Sequence, residues 1–244
     1  MSGATTEGVP TVVTTARILD LVGREACAEP GVPLLIRGEP GVGKGIVARL
    51  IHSASPRRAH SFIKVNCAVN PPDRLEAELF GHEKGASPRA TRRRLGSFEF
   101  ANHGTIYLEE IGGVPETLVP KLLHVLRTGE VSRCGSREVS KVDARLIAST
   151  ARCAESGGAD DLWQGLRRLN AVEISIPPLR ERAEEIPLFA AFFLEQFNRQ
   201  YRRDVQLRPD IMATFRAHSW PGNIRELENA VHRLVANRAE SFVH

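Results

Sequence analysis

Residues Gly38–Gly45 read GEPGVGKG, a glycine-rich stretch with a lysine near its end. It fits G-x-x-x-x-G-K, a pattern that carries weight only where a strand ends and a helix begins. Both flanks are present. Upstream, VPLLIR (Val32–Arg37) is a short apolar run bounded by Gly31 and Gly38, suited to a buried parallel strand. Downstream, IVARLIHSA sets Ile46, Val47, Leu50 and Ile51 on one helical face. In that context Gly41 and Gly43 let backbone N–H groups turn inward around phosphate oxygens. The helix N-terminus adds its dipole, and Lys44 supplies a point charge for the outer phosphates. Gly38, Glu39, Pro40, Gly41, Val42, Gly43, Lys44, Gly45 and Ile46 are therefore the candidate nucleotide-binding residues. A plain glycine-rich turn is the alternative, and the flanking strand and helix weigh against it. The Ser or Thr that usually follows the lysine to meet magnesium is Gly45 here.

Outward from this loop, apolar runs alternate with helical patterns. SFIKVN (Ser61–Asn66), GTIYLEEI (Gly104–Ile111), ARLIAST (Ala144–Thr150) and AVEISIPPLR (Ala171–Arg180) read as strands. PPDRLEAELF reads as a proline-opened helix, and another helix runs from near Pro115 to a stop at Gly129. Strands separated by helices predict right-handed crossovers and an α/β fold with a parallel sheet covered on both faces. The run TIYLEE delivers Glu109 and Glu110 at a strand's C-terminal end, beside the phosphate loop if the sheet is parallel. Transfer of a phosphoryl group to water needs one carboxylate near the metal and another to orient the attacking water. A solvated strand end is the alternative for such a pair; the phosphate loop upstream favours chemistry. After Pro178 the strands stop and three helical stretches follow, EEIPLFAAFFLEQFNRQY, PDIMATFRAHS and PGNIRELENAVHRLVANRAE. The expected organisation is a flexible lead-in over residues 1–14, an α/β core over 15–178 and a helical lid over 179–244.

Composition limits the function classes. The 244 residues are 42% hydrophobic and 25% charged, ordinary for a globular chain with a real core. A net charge of +4 permits contact with nucleic acid or an acidic protein without requiring it. Cys27, Cys67, Cys134 and Cys153 lie far apart, which indicates neither a zinc site nor a disulfide framework and points to a reducing cytoplasm. No apolar run of about 18 residues calls for a membrane. HEKG at His82 lacks the second histidine of a zinc protease. Phe192, Phe193 and Phe197 repeat at helical spacing and read as lid core.

GEPGVGKG, VNCA, ELFGHEKGA, GTIYLEEIG, PKLLHVLRTGEVSRCGS, RLNAVEISIPPLRER and WPGNIRELENAV together resemble the central AAA+ ATPase domain of bacterial enhancer-binding proteins, the NtrC-like activators of sigma-54 RNA polymerase. The resemblance runs from about Val32 to Arg238. It implies an AAA+ P-loop NTPase core with a small helical lid, forming a hexameric or heptameric ring with ATP and Mg2+ at subunit interfaces. Lys44 would hold the β- and γ-phosphates, Glu110 would polarise the attacking water, and Glu109 would meet magnesium. Asn66 resembles the switch residue that holds that catalytic glutamate away. Thr150 sits where the family senses the γ-phosphate. Arg168 matches an arginine finger reaching into the neighbour's site, and Arg225 the lid arginine that contacts nucleotide. Without the family, Arg168 would read as a surface charge beside Arg167, and Arg225 as an ordinary helix-surface residue.

This chain departs from that pattern in places. The first Walker-B acid, normally Asp, is Glu109; the sensor asparagine after the threonine is Ala151; the second finger falls on Leu162. In the family GHEKGA continues into GAFTGA, the tip of a loop that touches the sigma factor. Here those positions are Gly85, Ala86, Ser87, Pro88, Arg89 and Ala90, so the aromatic and threonine of the contact are absent. The cluster Arg89, Arg92, Arg93 and Arg94 could instead dock an acidic surface or a phosphate backbone, a solvated basic loop being the alternative. The expected partners are the chain itself and an RNA polymerase sigma factor or other transcription component. DNA binding is expected through a domain outside this chain. The competing reading is a nucleotide-responsive module with weak or no hydrolysis that does not contact sigma-54.

Overall fold

The computed structural model describes residues 31–88, 90–151 and 159–237, together with Gly23. They fall into two compact units that part between Pro177 and Pro178. The expected lead-in 1–14, Cys27, Arg89 and Cys153 lie outside the described residues.

The first unit runs β1 (Leu34–Arg37), α1 (Lys44–Ala54), β2 (Phe62–Asn66), α2 (Pro72–Phe80), β3 (Gly81–His82), β4 (Arg94–Leu95) and α3 (Ser97–Phe100). It continues β5 (Thr105–Glu109), α4 (Val119–Thr128), β6 (Glu130–Ser132), β7 (Val139–Lys141), β8 (Arg145–Thr150), α5 (Ala159–Arg168) and β9 (Val172–Ser175). Five strands make a parallel sheet in the order β2-β5-β8-β1-β9. The central strands are apolar at successive positions because both faces are covered: Leu34–Ile36, Ile106–Leu108 and Leu146–Ala148 are all buried. The fold class is the one expected. The acid-bearing strand is not next to β1, however, since β8 lies between them.

All five strands are shorter than expected, and two of them lose three residues or more, each for a local reason. Gly104–Ile111 shrinks to Thr105–Glu109 because Glu110 turns into the left-handed region, φ 55° and ψ 60°. Ala171–Arg180 shrinks to Val172–Ser175, and Leu179 opens a 3-10 segment after prolines that cannot donate to a ladder. Sequence patterning also missed two antiparallel pairs, β3 with β4 and β6 with β7. The first forms the base of the GHEKGASPRATRRR loop. There α2 ends on Gly81 at φ 76°, and a Cβ on Gly81 would stand 2.6 Å from the Gly96 nitrogen, so only glycine fits.

The second unit comprises the 3-10 segment Leu179–Glu185, α6 (Ile186–Tyr201), α7 (Pro209–Ala217) and α8 (Asn223–Asn237). Its core gathers Phe189, Phe193, Phe197, Phe215, Trp220, Leu227 and Val231. The Phe193 and Phe197 rings stack with centroids 6.5 Å apart, and Phe192 meets Phe193 edge-on at 5.5 Å. The buried Asn223 side chain accepts the Leu179 N–H at 2.7 Å, pinning the entry segment to the start of α8.

Candidate functional site

The loop Gly38–Gly43 links the C-terminal end of β1 to the first turn of α1. Gly38 N–H donates to the Thr150 carbonyl at 3.4 Å, joining the loop to the end of β8, and Val42 N–H closes on Glu39 O at 3.5 Å. Val42 is buried beneath the loop, and Pro40 is exposed at its crest. Gly41 (φ 80°) and Gly43 (φ 99°) both take positive φ, which glycine adopts without a Cβ penalty. Gly43 caps α1 without any side-chain cap, and its carbonyl accepts the N–H groups of Ile46 (2.9 Å) and Val47 (3.1 Å). The first turn of α1 thus offers backbone donors to an anion rather than to a side chain.

Lys44 is 8% exposed, and its ammonium donates to Gly38 O at 2.8 Å and Glu39 O at 3.3 Å. Its third neighbour is Glu110 Oε1 at 3.1 Å. The other Glu110 oxygen accepts the Ala151 N–H at 3.0 Å, just past Thr150, the buried last residue of β8. The left-handed backbone of Glu110 makes this reach possible: it swings the side chain off β5 and across the end of β8. Left-handed geometry in a non-glycine residue costs about 1–3 kcal/mol and marks functional sites.

Glu109 has a separate set of partners. Its Oε2 accepts from Asn66 Nδ2 at 3.0 Å and lies 2.9 Å from Lys64 Nζ. In this structure Asn66 therefore engages Glu109, where the resemblance placed it on Glu110. The register explains the difference: Asn66 stands directly opposite Glu109 in the β2–β5 pair. Lys64 was not anticipated, although residues two apart on one strand share a face, which puts Lys64 with Asn66. Beneath the acids the floor stays neutral. Burial pushes the Tyr107 phenol well above its usual range although Ser149 bonds it at 2.8 Å, and burial with Glu78 beside it pushes the Cys67 thiol up to about 12.

The donor set fits a triphosphate: a helix start without a side-chain cap, one buried lysine and a carboxylate poised against it. For magnesium the fit is narrower. No group of three or more metal-ligating side chains exists among the described residues, as suits a cation held mainly by phosphate oxygens and water with one protein carboxylate. Glu109 Oε1 faces the first turn of α1, 3.9 Å from where a Cβ on Gly45 would stand. It is the carboxylate oxygen available for that role.

The remaining candidates lie farther out. Arg168 ends α5, exposed, with no ion pair recorded among the described residues. Leu162, where a second finger would fall, is wholly buried in the core. Arg225 is exposed on the first turn of α8, in the second unit. In the partner loop Gly85, Ala86, Ser87 and Pro88 are exposed, while Ala90 is buried and its carbonyl accepts the Gly85 N–H at 2.8 Å. The loop base holds a cluster that sequence reasoning did not find. Arg133 donates to both Glu99 oxygens (2.9 and 2.5 Å) and to Glu83 at 2.9 Å. Burial would raise the Glu99 carboxyl, but Arg133 and the Gly96 N–H hold it below the usual carboxylate range.

Comparison with known proteins places these features. Residues 14–175 match the family described as the sigma-54 interaction domain, and residues 180–244 match the AAA+ ATPase lid domain. The regulatory protein AtoC of Escherichia coli (strain K12) is 47% identical over 208 residues, covering 83% of this chain and 44% of AtoC. The Nif-specific regulatory protein of Azotobacter vinelandii is 41% identical over 225 residues, 90% of this chain and 42% of that protein. This chain therefore spans less than half of either relative. NtrX from Brucella abortus, solved in complex with ATP, superposes with a TM-score of 0.81 at 36% identity, covering 95% of this chain and 53% of that one.

Proposed function

The chain belongs to the sigma-54 interaction domain family, an AAA+ ATPase core followed by its lid, and from that membership we propose how its residues bind and hydrolyse ATP to remodel a transcription complex. The triphosphate lies against the first turn of α1, with Lys44 on the outer phosphates. Binding draws the ammonium away from Glu110, and the freed carboxylate orients the attacking water and takes up its proton. Thr150, at the end of β8, senses the terminal phosphate. Arg168 comes from the neighbouring protomer and stabilises the charge that develops in transfer, and Arg225 of the lid contacts nucleotide. Glu109 would hold magnesium, which when bound would supply further neutralisation of that charge.

Because the finger acts in trans, the active form is a ring of this chain, hexameric or heptameric. The output surface is the loop Gly85–Ala90, which works on an RNA polymerase sigma factor or another transcription component, with promoter contacts supplied by a domain outside this chain. The observation that supports the reading most strongly is the 3.1 Å approach of Lys44 to Glu110, two residues brought from separate elements to one point. Steady-state ATPase assays against protein concentration test it. Specific activity should climb with concentration as composite sites form, and Glu110→Gln should retain nucleotide while losing turnover by about 100-fold or more. Concentration-independent activity, or equal phosphate release by Glu110→Gln and wild type, overturns it.

A further inference from the structure

Arg37 is the last residue of β1, one place before the phosphate loop, and Trp163 lies on α5, the helix that ends at Arg168. The Arg37 guanidinium carbon sits 3.6 Å from the centroid of the Trp163 ring, a close cation–π contact. Arg37 Nε also lies 2.9 Å from Oε1 of Glu173, on the edge strand β9. The second oxygen of Glu173 lies 3.6 Å from Arg167 Nη2, and the Arg167 guanidinium is 5.6 Å from the same indole. Trp163 is 4% exposed, yet neither its Nε1 nor Nε and Nη2 of Arg37 have a hydrogen-bond partner among the described residues, so Arg37 and Glu173 meet as an ion pair without hydrogen-bond geometry. The ring is thus placed by stacking and packing, and the two guanidiniums by one shared carboxylate.

We propose that Arg37, Trp163, Glu173 and Arg167 form a positioning bracket that locks the end of α5 to the strand feeding the phosphate loop and so aims Arg168 at the neighbouring protomer. Adjacent helical residues point about 100° apart, so drawing Arg167 onto Glu173 turns Arg168 to the open surface, where it is found exposed. A finger acting across an interface needs placement to within about 1 Å, and misplacement of that size costs on the order of 100-fold in rate. The bracket also joins the two ends of one protomer's chemistry: Arg37 adjoins its own nucleotide loop, while Arg168 serves the next protomer's. None of the four residues is a catalytic group. They act through Arg168, and the proposal rests on the reading of Arg168 as a finger.

The test uses the assembled ATPase with Glu173→Gln, Trp163→Leu, Trp163→Phe and Arg168→Ala. In Glu173→Gln and Trp163→Leu, kcat should fall about 10- to 100-fold while KM and nucleotide Kd stay within about twofold, a loss confined to the step the finger serves. Trp163→Phe, which keeps a ring under Arg37, should recover much of the loss. Mixing Glu173→Gln with Glu110→Gln protomers should restore turnover, because the second supplies a well-aimed Arg168 to the intact site of the first. A rise in KM, or no recovery on mixing, would show that the bracket merely supports its own phosphate loop, and the proposal fails. Loss in Arg168→Ala with wild-type turnover in Glu173→Gln and Trp163→Leu sinks the bracket alone. Wild-type turnover in Arg168→Ala sinks the finger reading and the bracket with it.

Discussion

Lys44 Nζ and Glu110 Oε1 lie 3.1 Å apart, although one opens a helix after β1 and the other follows β5, with β8 between the two strands. The contact exists because Glu110 leaves its strand in a left-handed turn and crosses the end of β8, where the Ala151 N–H holds its second oxygen. The acid that follows β5 therefore reports on the phosphate loop, while its neighbour Glu109 reports on β2.

That division of labour predicts a pattern of coupling. In double-mutant cycles read by turnover, Asn66→Ala and Glu109→Gln should be non-additive, since the first removes the Nδ2 donor 3.0 Å from the second. Asn66→Ala and Glu110→Gln should come closer to additivity. Coupling of Asn66 to Glu110 alone would contradict the geometry described here.

Glycine positions make predictions of opposite sign. A Cβ on Gly45 meets Tyr107 Cε1 at 3.6 Å, an ordinary contact, within α1. Gly45→Ala should therefore stabilise the protein by about 0.5–1 kcal/mol through helix propensity. A Cβ on Gly96 would stand 2.3 Å from the Phe80 carbonyl carbon and 2.6 Å from the Gly81 nitrogen. Gly96→Ala should lower the melting temperature and disturb the loop base. Differential scanning calorimetry checks both, and a melting temperature raised by both substitutions would be inconsistent with this packing.

Much of this was legible in advance and some was not, for physical reasons. Long apolar strands such as Leu34–Arg37 and Arg145–Thr150 announce themselves because both faces are buried, and the phosphate loop because its glycines and lysine have one main use together. The pairs Gly81–His82 with Arg94–Leu95 and Glu130–Ser132 with Val139–Lys141 are short and polar, so no periodicity marks them. Arg133 looked like any loop arginine; only the fold brings Glu83 and Glu99 to it. The partner of Asn66 depends on the register of β2 against β5, and the reach of Glu110 on one backbone dihedral, neither of which patterning supplies.

His52 predicts a pH dependence of stability. It is buried on α1, with Nδ1 2.9 Å from the buried Thr105 Oγ1, and burial lowers its pKa from 6.5, with Arg49, Arg145 and His60 adding to the effect against a backbone hydrogen bond with His60. A lowered folded-state value means the unfolded chain binds the proton first. Its contribution is therefore complete above about pH 6.5 and is lost as the pH falls through the folded value. Thermal melts from pH 7.5 downward should show a falling midpoint, with a shallower fall in His52→Gln; parallel curves would refute the assignment.

Arg133 predicts a large effect from a residue remote from the chemistry. Its guanidinium is 9% exposed and answers two carboxylates, so Arg133→Met leaves the half-buried Glu99 with only the Gly96 N–H, at a cost of about 1–3 kcal/mol. Denaturant titration should show this loss, and Arg133→Lys should recover only part of it, because an ammonium cannot match the paired bonds to Glu99. Wild-type stability in Arg133→Met would count against the cluster.

The most direct trial of the central claim, that Lys44 on the first turn of α1 anchors a nucleotide, is a calorimetric titration of adenosine triphosphate into wild type and Lys44→Ala. Saturable heat from the wild type and affinity weakened at least about tenfold in Lys44→Ala, a loss of about 1.4 kcal/mol or more, is the predicted result. No heat from the wild type, or the same isotherm from both proteins, contradicts the account.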